Sequence, residues 1–193
     1  IFGSKPERFI PTVNHIVKGE SDGVLRFRLS EGYKGGYRWE FPSKGGFKSV
    51  GYVKDTDSID EYVSRGARNI PIGRVPKISD GHCSLVGDAA GLCNPLCFGG
   101  IGVALLSGRK AAEGIAFGTF KDYQKWLEKD RMFDPRFMEA HDKFAGWDDA
   151  TIEEALAPMA GEATLYKGLR AILRRRDWTV IYMGCWFGFG RGW

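Results

Sequence analysis

The stretch 85–102, with the sequence LVGDAAGLCNPLCFGGIG, most constrains what this chain can fold into. An apolar run over Leu85-Val86 predicts a buried strand, and Gly87-Asp88 predicts the turn that ends it. Gly99-Gly100 then open a segment of small and apolar residues, 101–117, which predicts a closely packed helix. Such a strand, loop and helix start bring the backbone close to an anionic ligand.

The chemistry of this stretch suits a cofactor with both hydroxyl and anionic groups. The start of a helix offers unpaired N–H groups and a partial positive charge. Glycines leave room for a ligand, and the Asp88 carboxylate can accept hydrogen bonds from sugar-type hydroxyls. A corner whose glycines only permit tight packing explains the same pattern equally well.

The residues themselves resemble a known motif. The GDAAG element is typical of hydroxylase-like flavoproteins, and its continuation is typical of the geranylgeranyl reductase family, especially of its archaeal digeranylgeranylglycerophospholipid reductases. The resemblance to that family's second flavin-contacting motif is carried by Gly87-Asp88-Ala89-Ala90-Gly91, Asn94-Pro95-Leu96, Gly99-Gly100-Ile101 and Ser107-Gly108-Arg109.

The resemblance implies that FAD is the cofactor. In the family the aspartate holds the ribityl chain, and the helix start faces the pyrimidine edge of the ring system, where it stabilises the negative charge of the reduced flavin. The residues implied to bind the cofactor are Gly87, Asp88, Ala89, Pro95, Gly99, Gly100, Ile101 and Gly102.

An aromatic hairpin is predicted over 37–53, because two strand patterns flank a glycine turn. Tyr37, Trp39 and Phe41 alternate along the first strand and therefore share one face. The core side of a sheet explains such a stripe without any substrate. The resemblance implies instead that these three residues bind substrate, because they correspond to a wall that lines a cavity for a polyprenyl chain.

Four further segments have recognisable patterns. Residues 9–17 predict an extended segment, and 24–29 predict a half-buried strand. Residues 55–68 predict a short surface helix. Residues 69–76 predict an extended return, which Pro71 and Pro76 confine to a sheet edge or an irregular path.

The expected fold class is α/β, or α+β for this part alone. The resemblance implies part of an FAD-binding, hydroxylase-like fold: a substrate-binding antiparallel sheet in 1–76, a returning strand and helix of the FAD-binding domain in 77–118, and a helical region in 119–193. No Gly-x-Gly-x-x-Gly follows a strand pattern in the sequence. The N-terminal dinucleotide-binding βαβ unit of the family is therefore expected to be absent from these residues.

Charge and cysteine content argue against a nucleic-acid-binding protein, a disulfide-rich protein and a metal site. The net charge of +4 is small, and no nucleic-acid-binding motif accompanies it. Four cysteines are too few and too irregularly spaced for a disulfide framework, which favours a reducing cytosol. Cys93 and Cys97 lie in the glycine-rich stretch, but the three scattered histidines do not complete a metal site, so no metal is expected.

The segment 165–193 combines an apolar stripe with basic residues and clustered aromatic residues. This composition is typical of an interfacial membrane anchor. A helix that closes the substrate cavity is an equally good interpretation. The expected location is the cytoplasm, with membrane association on the cytoplasmic face if the anchor is correct.

The function implied for the complete enzyme is FAD-dependent reduction of geranylgeranyl carbon–carbon double bonds in membrane lipid biosynthesis. The electron donor is external, and ferredoxin, a deazaflavin and NAD(P)H remain open. No residue is identified as the proton donor, although Tyr37 is conceivable, and the fragment alone is expected to be inactive. The alternatives are a related FAD-dependent electron-transfer protein or monooxygenase, and a non-catalytic lipid-binding piece.

Overall fold

The computed structural model of the chain describes residues 2–53, 57–80, 82–161 and 164–190. Within these residues, five strands come first and six α-helices follow. The strands are β1 (Arg8–Lys18), β2 (Arg26–Arg28), β3 (Arg38–Ser43), β4 (Phe47–Val53) and β5 (Ser64–Ile72). The helices are α1 (Ile101–Ala116), α2 (Phe120–Lys129), α3 (Arg136–Ala145), α4 (Asp149–Leu156), α5 (Leu165–Arg174) and α6 (Thr179–Gly190).

The strands form one sheet in the order β2-β3-β4-β1-β5. β3 and β4 are the predicted hairpin, and their turn contains Gly45 and Gly46 with φ of +71° and +76°, which L side chains rarely adopt. β1 pairs antiparallel with β4 on the other side. The predicted antiparallel sheet and its aromatic hairpin are therefore confirmed.

One face of the sheet carries a closed core. Val13 lies opposite Tyr52 in the pairing of β1 with β4, and both pack with Tyr33. Tyr52 is 2% exposed. The Tyr33 hydroxyl donates to Asp57 Oδ2 at 3.0 Å, and burial together with this carboxylate raises the pKa of Tyr33. The polar atom of this core cluster, the Tyr33 hydroxyl, is therefore hydrogen-bonded.

The predicted helix over 55–68 is wrong in the residues that the structure describes. Positions 54–56 lie outside them, and the chain enters β5 at Ser64. The Val63 N–H donates to the Ile16 carbonyl at 2.7 Å, and Thr12 Oγ1 donates to the Arg68 carbonyl at 2.9 Å. Pairing with a strand that is distant in sequence outweighed the local helical spacing. β5 is an edge strand and includes Pro71, as the proline positions predict.

Two further strand predictions are corrected. The strand in 24–29 is only three residues long, and all three residues of β2 are exposed rather than half-buried. Leu85 and Val86 are not part of a β-strand. Their backbone is irregular, and both residues are half-buried. The Leu85 N–H donates to the Ile78 carbonyl at 2.7 Å, so a local turn uses the hydrogen bond that a neighbouring strand would take.

The described contacts divide the chain into two compact units. The first unit comprises Ile1–Phe9, Ile70–His141 and Arg175–Trp193, and it contains the glycine-rich stretch and α1. The second unit comprises Ile10–Asn69 and Asp142–Arg174, and it contains most of the sheet with α4 and α5. The functional division at residues 76 and 118 stays a prediction.

The predicted helix after Gly100 is confirmed as α1. Its buried side is made by Val103, Ser107, Ala111 and Gly114, whose small side chains allow close packing in the first unit. The described residues that follow α1 are mainly helical, as predicted, and the Asp134-Pro135 step separates α2 from α3. None of the described helices is long and apolar enough to cross a membrane.

Candidate functional site

The glycine-rich stretch folds into a compact loop against α1. Gly87–Ala90 form one turn of 3₁₀-helix, and Gly91 ends it with φ of +67°. A Cβ on Gly87 would lie 2.9 Å from the Cβ of Ala104, and the Gly87 N–H donates to Ser107 Oγ at 3.0 Å. Glycine is required at position 87 because the backbone touches the helix there. We call the loop and helix start, Gly87–Gly102, the glycine corner.

Asn94 holds the middle of the glycine corner. Its side chain is completely buried, and its Oδ1 accepts from the N–H groups of Leu96 at 2.7 Å and Cys97 at 3.0 Å. Its Nδ2 donates to the Gly184 carbonyl of α6 at 3.1 Å. One amide therefore satisfies three backbone groups and connects the loop to the C-terminal helix of the same unit.

The start of α1 lies beside the carboxylate of Asp88. Gly100 is the N-cap residue, and no described side chain caps this end of the helix. Asp88 Oδ1 lies 3.2 Å from the point that a Cβ on Gly100 would occupy. Helix-start N–H donors and a carboxylate acceptor are thus adjacent, which is the donor–acceptor pair that the sequence predicts.

The predicted cofactor-binding residues differ in their accessibility. Asp88, Ala89 and Ile101 are exposed, and the exposed fraction of Ile101 is 82%. Gly99, Gly100 and Gly102 are half-buried, whereas Gly87 and Pro95 are buried in the first unit. A ligand at the surface of the glycine corner therefore meets Asp88 and the helix start, while Gly87 and Pro95 support them from below.

Cys93 is buried, and Cys97 and Cys185 of the same unit are half-buried. The Cys93 thiol donates to the Gly99 carbonyl at 3.5 Å, and burial raises its pKa, with a further contribution from the Asp88 carboxylate. Burial also raises the pKa of Cys185 to about 12. Neutral thiols are poor nucleophiles and metal ligands. Among the described residues, no group of three or more His, Cys, Asp and Glu side chains is placed to hold a metal ion.

The second unit presents a cluster of half-exposed aromatic rings. Trp39 lies over Gly51, where a Cβ would be 2.1 Å from the indole. The Tyr37 and Trp39 rings are 6.0 Å apart in an edge-to-face arrangement. Phe27 contacts Tyr37 and Phe41 at 5.3 and 5.2 Å. We call Phe27, Tyr37, Trp39 and Phe41 the aromatic face.

The aromatic face lies opposite the closed core of the sheet. Tyr37, Trp39 and Phe41 are half-buried and Phe27 is 44% exposed. Trp39 Nε1 donates to Asn14 Oδ1 at 3.2 Å, and this oxygen also accepts from Ser49 Oγ at 2.7 Å. The three sequence-predicted residues share one face of the sheet and are half-buried there, and their role in substrate binding stays a prediction.

Two supporting residues, Ser107 and Asn14, had no role assigned to them from the sequence. Ser107 positions Gly87 from α1, and Asn14 fixes the indole of Trp39 from β1. The Ser-Gly-Arg motif is a signal for Ser107, whereas Asn14 becomes visible only when the register of β1 with β4 is known.

The residues of the glycine corner fit a ligand that carries hydroxyl and anionic groups. The start of α1 is uncapped by the described side chains, and the adjacent Asp88 carboxylate is exposed. Outside the glycine corner, Arg74 precedes Val75, and its Nη1 is buried and has no hydrogen-bond partner among the described residues. These features agree with the composition of a flavin cofactor.

Comparison with protein-family models and with curated proteins finds no match. Among solved structures, the chain resembles a geranylgeranyl bacteriochlorophyll reductase-like protein from Thermoplasma acidophilum, with a TM-score of 0.71 and 21% identity over 89% of this chain and 53% of that one. It also resembles a flavoprotein/dehydrogenase from Cytophaga hutchinsonii, with a TM-score of 0.52 and 17% identity over 94% of this chain and 51% of that one.

The chain therefore spans about half the length of the solved structures that it matches. At these identities the comparison establishes the fold alone. The predicted fold class, an α/β part of the FAD-binding flavoprotein fold, is confirmed.

Proposed function

We propose that this chain is part of a flavin-dependent reductase that acts on carbon–carbon double bonds of an isoprenoid chain in membrane lipid biosynthesis. The observation that carries the proposal is the glycine corner, where the Asp88 carboxylate lies 3.2 Å from the Cβ position of Gly100 at an uncapped helix start of the described chain. The fold shared with flavoproteins supports the proposal.

Asp88 and the start of α1 would hold FAD. The carboxylate would accept hydrogen bonds from hydroxyl groups of the cofactor, and the N–H groups of Ile101 and Gly102 would stabilise negative charge on it. Glycine at positions 99 and 100 keeps side chains out of the approach. When bound and reduced by an external donor, the flavin would supply a hydride to one carbon of the double bond, and a proton would be added to the other carbon.

The aromatic face would bind the isoprenoid chain. A polyprenyl group offers no hydrogen-bonding atoms, so its affinity must come from buried apolar area. The four rings provide such area on a rigid sheet, and Trp39 is fixed by its bond to Asn14. The chain's own contribution is therefore to bind and orient the alkene and to exclude water from it.

The reaction consumes a hydride and a proton for each double bond, so the complete protein requires an external electron donor. Ferredoxin, a deazaflavin and NAD(P)H are equally compatible with the described residues. We assign no proton donor to this chain. The Tyr37 ring contacts Phe27 and Trp39, which packing alone explains.

Replacing Trp39 by Ala tests the substrate half of the proposal. In the natural polypeptide that carries this sequence, Trp39→Ala should weaken the binding of a geranylgeranyl lipid about tenfold or more, because about 100 Å² of apolar contact is lost. FAD retention should be unchanged. Trp126→Ala, which removes a half-buried indole from α2 in the first unit, is the matched control and should leave lipid affinity unchanged.

An equal loss of lipid and FAD binding in Trp39→Ala would show that the residue is structural and that the aromatic face is not a substrate site. Retention of FAD with no affinity for prenyl lipid in the wild-type protein would favour a related FAD-dependent electron-transfer protein or monooxygenase. Such a protein needs the glycine corner equally, because the corner serves the flavin and not the substrate.

A further inference from the structure

Helix α5 presents an apolar stripe to solvent. Four large side chains are exposed on it: Leu165 (64%), Tyr166 (72%), Leu169 (54%) and Leu173 (69%). At about 100° of rotation per residue, these four side chains lie within about 100° of one another around the helix axis. The opposite side is packed in the second unit through Ala171, which is 1% exposed. The helix is therefore fixed to its unit with an apolar face outward.

Basic residues border this stripe. Arg170 lies about 60° from Leu173 around the helix and Arg174 lies about 100° from it, and both are exposed. Lys167 follows them, and its Nζ donates to the Ala160 carbonyl at 2.7 Å. The sequence of α5 contains no acidic residue. The helix thus has three faces in order: exposed and apolar, exposed and cationic, and packed.

We infer that α5 is an interfacial helix that docks this protein on a bilayer containing anionic phospholipid. Leucines and a tyrosine on one face enter the boundary between headgroups and acyl chains, and arginines at the edge of that face reach the phosphates. Charge complementarity favours this occupant, because an anionic bilayer offers an apolar layer to the leucines and counter-charges to Arg170 and Arg174.

The inference concerns α5 alone, although Met183 and Trp186 of α6 are also exposed, at 39% and 58%. The sequence-predicted anchor extended over 165–193, but in the first unit Trp178 is 2% exposed and Ile181 is 6% exposed. The Trp178 ring is also covered by the Arg175 guanidinium, whose centre lies 3.6 Å from the ring centroid. These side chains are occupied in packing, and residues 191–193 lie outside the described chain. The inference depends on α5 alone and holds whether or not the protein binds flavin.

Vesicle co-sedimentation of the full chain tests the inference, with large vesicles of phosphatidylcholine alone and of phosphatidylcholine mixed with phosphatidylglycerol. The wild-type chain should bind the mixed vesicles more tightly, and added salt should weaken that binding. The double variant Leu169→Gln, Leu173→Gln should lower the partition coefficient at least about tenfold. Arg170→Glu with Arg174→Glu should do the same and remove the preference for phosphatidylglycerol.

Two matched double variants test whether the loss of any two exposed apolar residues, or of any two positive charges, weakens vesicle binding. Leu105→Gln with Ile115→Gln removes two exposed apolar residues from α1, and Lys121→Glu with Lys129→Glu reverses two exposed charges on α2. Both should change the partition coefficient less than about twofold. Far-UV circular dichroism and the melting temperature establish that every variant is folded.

Three results would overturn the inference: no binding of the folded wild-type chain to either vesicle, equal binding by the α5 variants and the wild type, or equal losses in the α5 and control variants. Sedimentation velocity without lipid tests whether the apolar stripe of α5 is instead an interface between two copies of the chain. If the α5 variants abolish self-association of the wild-type chain, the stripe is an interface between two copies and the membrane assignment is wrong.

Discussion

The glycine corner and the aromatic face present ligand-binding surfaces of opposite kinds. In the glycine corner the groups that face a ligand belong mostly to the backbone, and the side chains beneath them are buried, as Asn94 and Ser107 are. On the aromatic face the groups that face a ligand are the side chains themselves, and they are only half-buried. The second unit keeps its core on the other side of the sheet.

This difference has a consequence for mutations. A substitution that disturbs the backbone of the glycine corner removes packing and ligand-binding groups together. A substitution on the aromatic face removes ligand-binding area and leaves the core of the sheet in place. Stability and binding should therefore change together for backbone substitutions in the first region and separately for substitutions in the second.

The largest loss of stability is expected for Gly91→Ala. Gly91 has φ of +67°, and a Cβ there would lie 2.7 Å from the Gly73 carbonyl oxygen. Strain and overlap with backbone should lower the free energy of unfolding by about 3 kcal/mol. Gly118→Ala is the matched control, because it has the same φ and no described heavy atom within 4 Å of its Cβ position. It should cost about 1 kcal/mol, and equal losses in urea denaturation would show that no close approach exists at Gly91.

A somewhat smaller loss is expected for Asn94→Ala. The variant leaves the N–H groups of Leu96 and Cys97 and the Gly184 carbonyl without their partner, which should cost about 2–3 kcal/mol. Gln124→Ala, which removes an exposed amide that donates to Glu128, should cost less than about 0.5 kcal/mol. Similar unfolding midpoints for the two variants would contradict the anchoring role of Asn94.

On the aromatic face, Trp39→Ala should lower the free energy of unfolding by only about 1.5 kcal/mol. The indole is half-buried, and Asn14 Oδ1 keeps the hydrogen bond from Ser49 Oγ when Trp39 Nε1 is lost. Thermal unfolding followed by circular dichroism measures the change. A decrease in the free energy of unfolding above about 3 kcal/mol is expected for a core aromatic residue. It would show that Trp39 contributes to packing as the residues of the glycine corner do.

The smallest effect is expected at Tyr123, whose hydroxyl donates to the Leu85 carbonyl at 2.9 Å behind the glycine corner. Tyr123→Phe should cost about 1 kcal/mol at neutral pH. Burial raises the pKa of Tyr123 to about 12 from 10.0, so the folded state holds the proton more tightly than the unfolded state. The stabilisation is therefore complete below pH 10 and is lost as the pH rises towards 12.

The free energy of unfolding, measured between pH 9 and pH 12, tests whether stability falls as the pH rises. The wild-type chain should lose stability over that range more steeply than Tyr123→Phe, because the variant lacks the group that titrates. Parallel pH curves for the two proteins would mean that the Tyr123 hydroxyl is not held in a buried hydrogen bond.

The sequence was most informative where structure depends on near neighbours. The helix over 101–117, the hairpin around Gly45 and Gly46 and the shared face of Tyr37, Trp39 and Phe41 all follow from local periodicity and turn residues, and the structure has each of them. The turn in the GDAAG stretch also follows from local sequence. Gly87 and Gly91 have positive φ angles, and Gly87 lies too close to α1 for a side chain.

The sequence was least informative where pairing is distant. Residues 64–72 form β5 because β1 lies alongside, and the helical spacing of neighbouring apolar residues gave no sign of that partner. Leu85-Val86 is apolar enough for a strand, but its backbone bonds locally to Ile78. The supporting role of Asn14 likewise depends on register, which no local pattern encodes.

The central claim, that the glycine corner holds a flavin, is tested most directly by the visible absorption spectrum of the natural polypeptide that carries this sequence, purified without denaturation. Asp88→Ala and Asp122→Ala are purified in parallel; Asp122 is an exposed carboxylate on α2 with a side chain 64% accessible. We expect flavin absorbance in the wild type and in Asp122→Ala and none in Asp88→Ala, with unchanged circular dichroism. A wild-type protein without flavin, or full flavin content in Asp88→Ala, would contradict the claim.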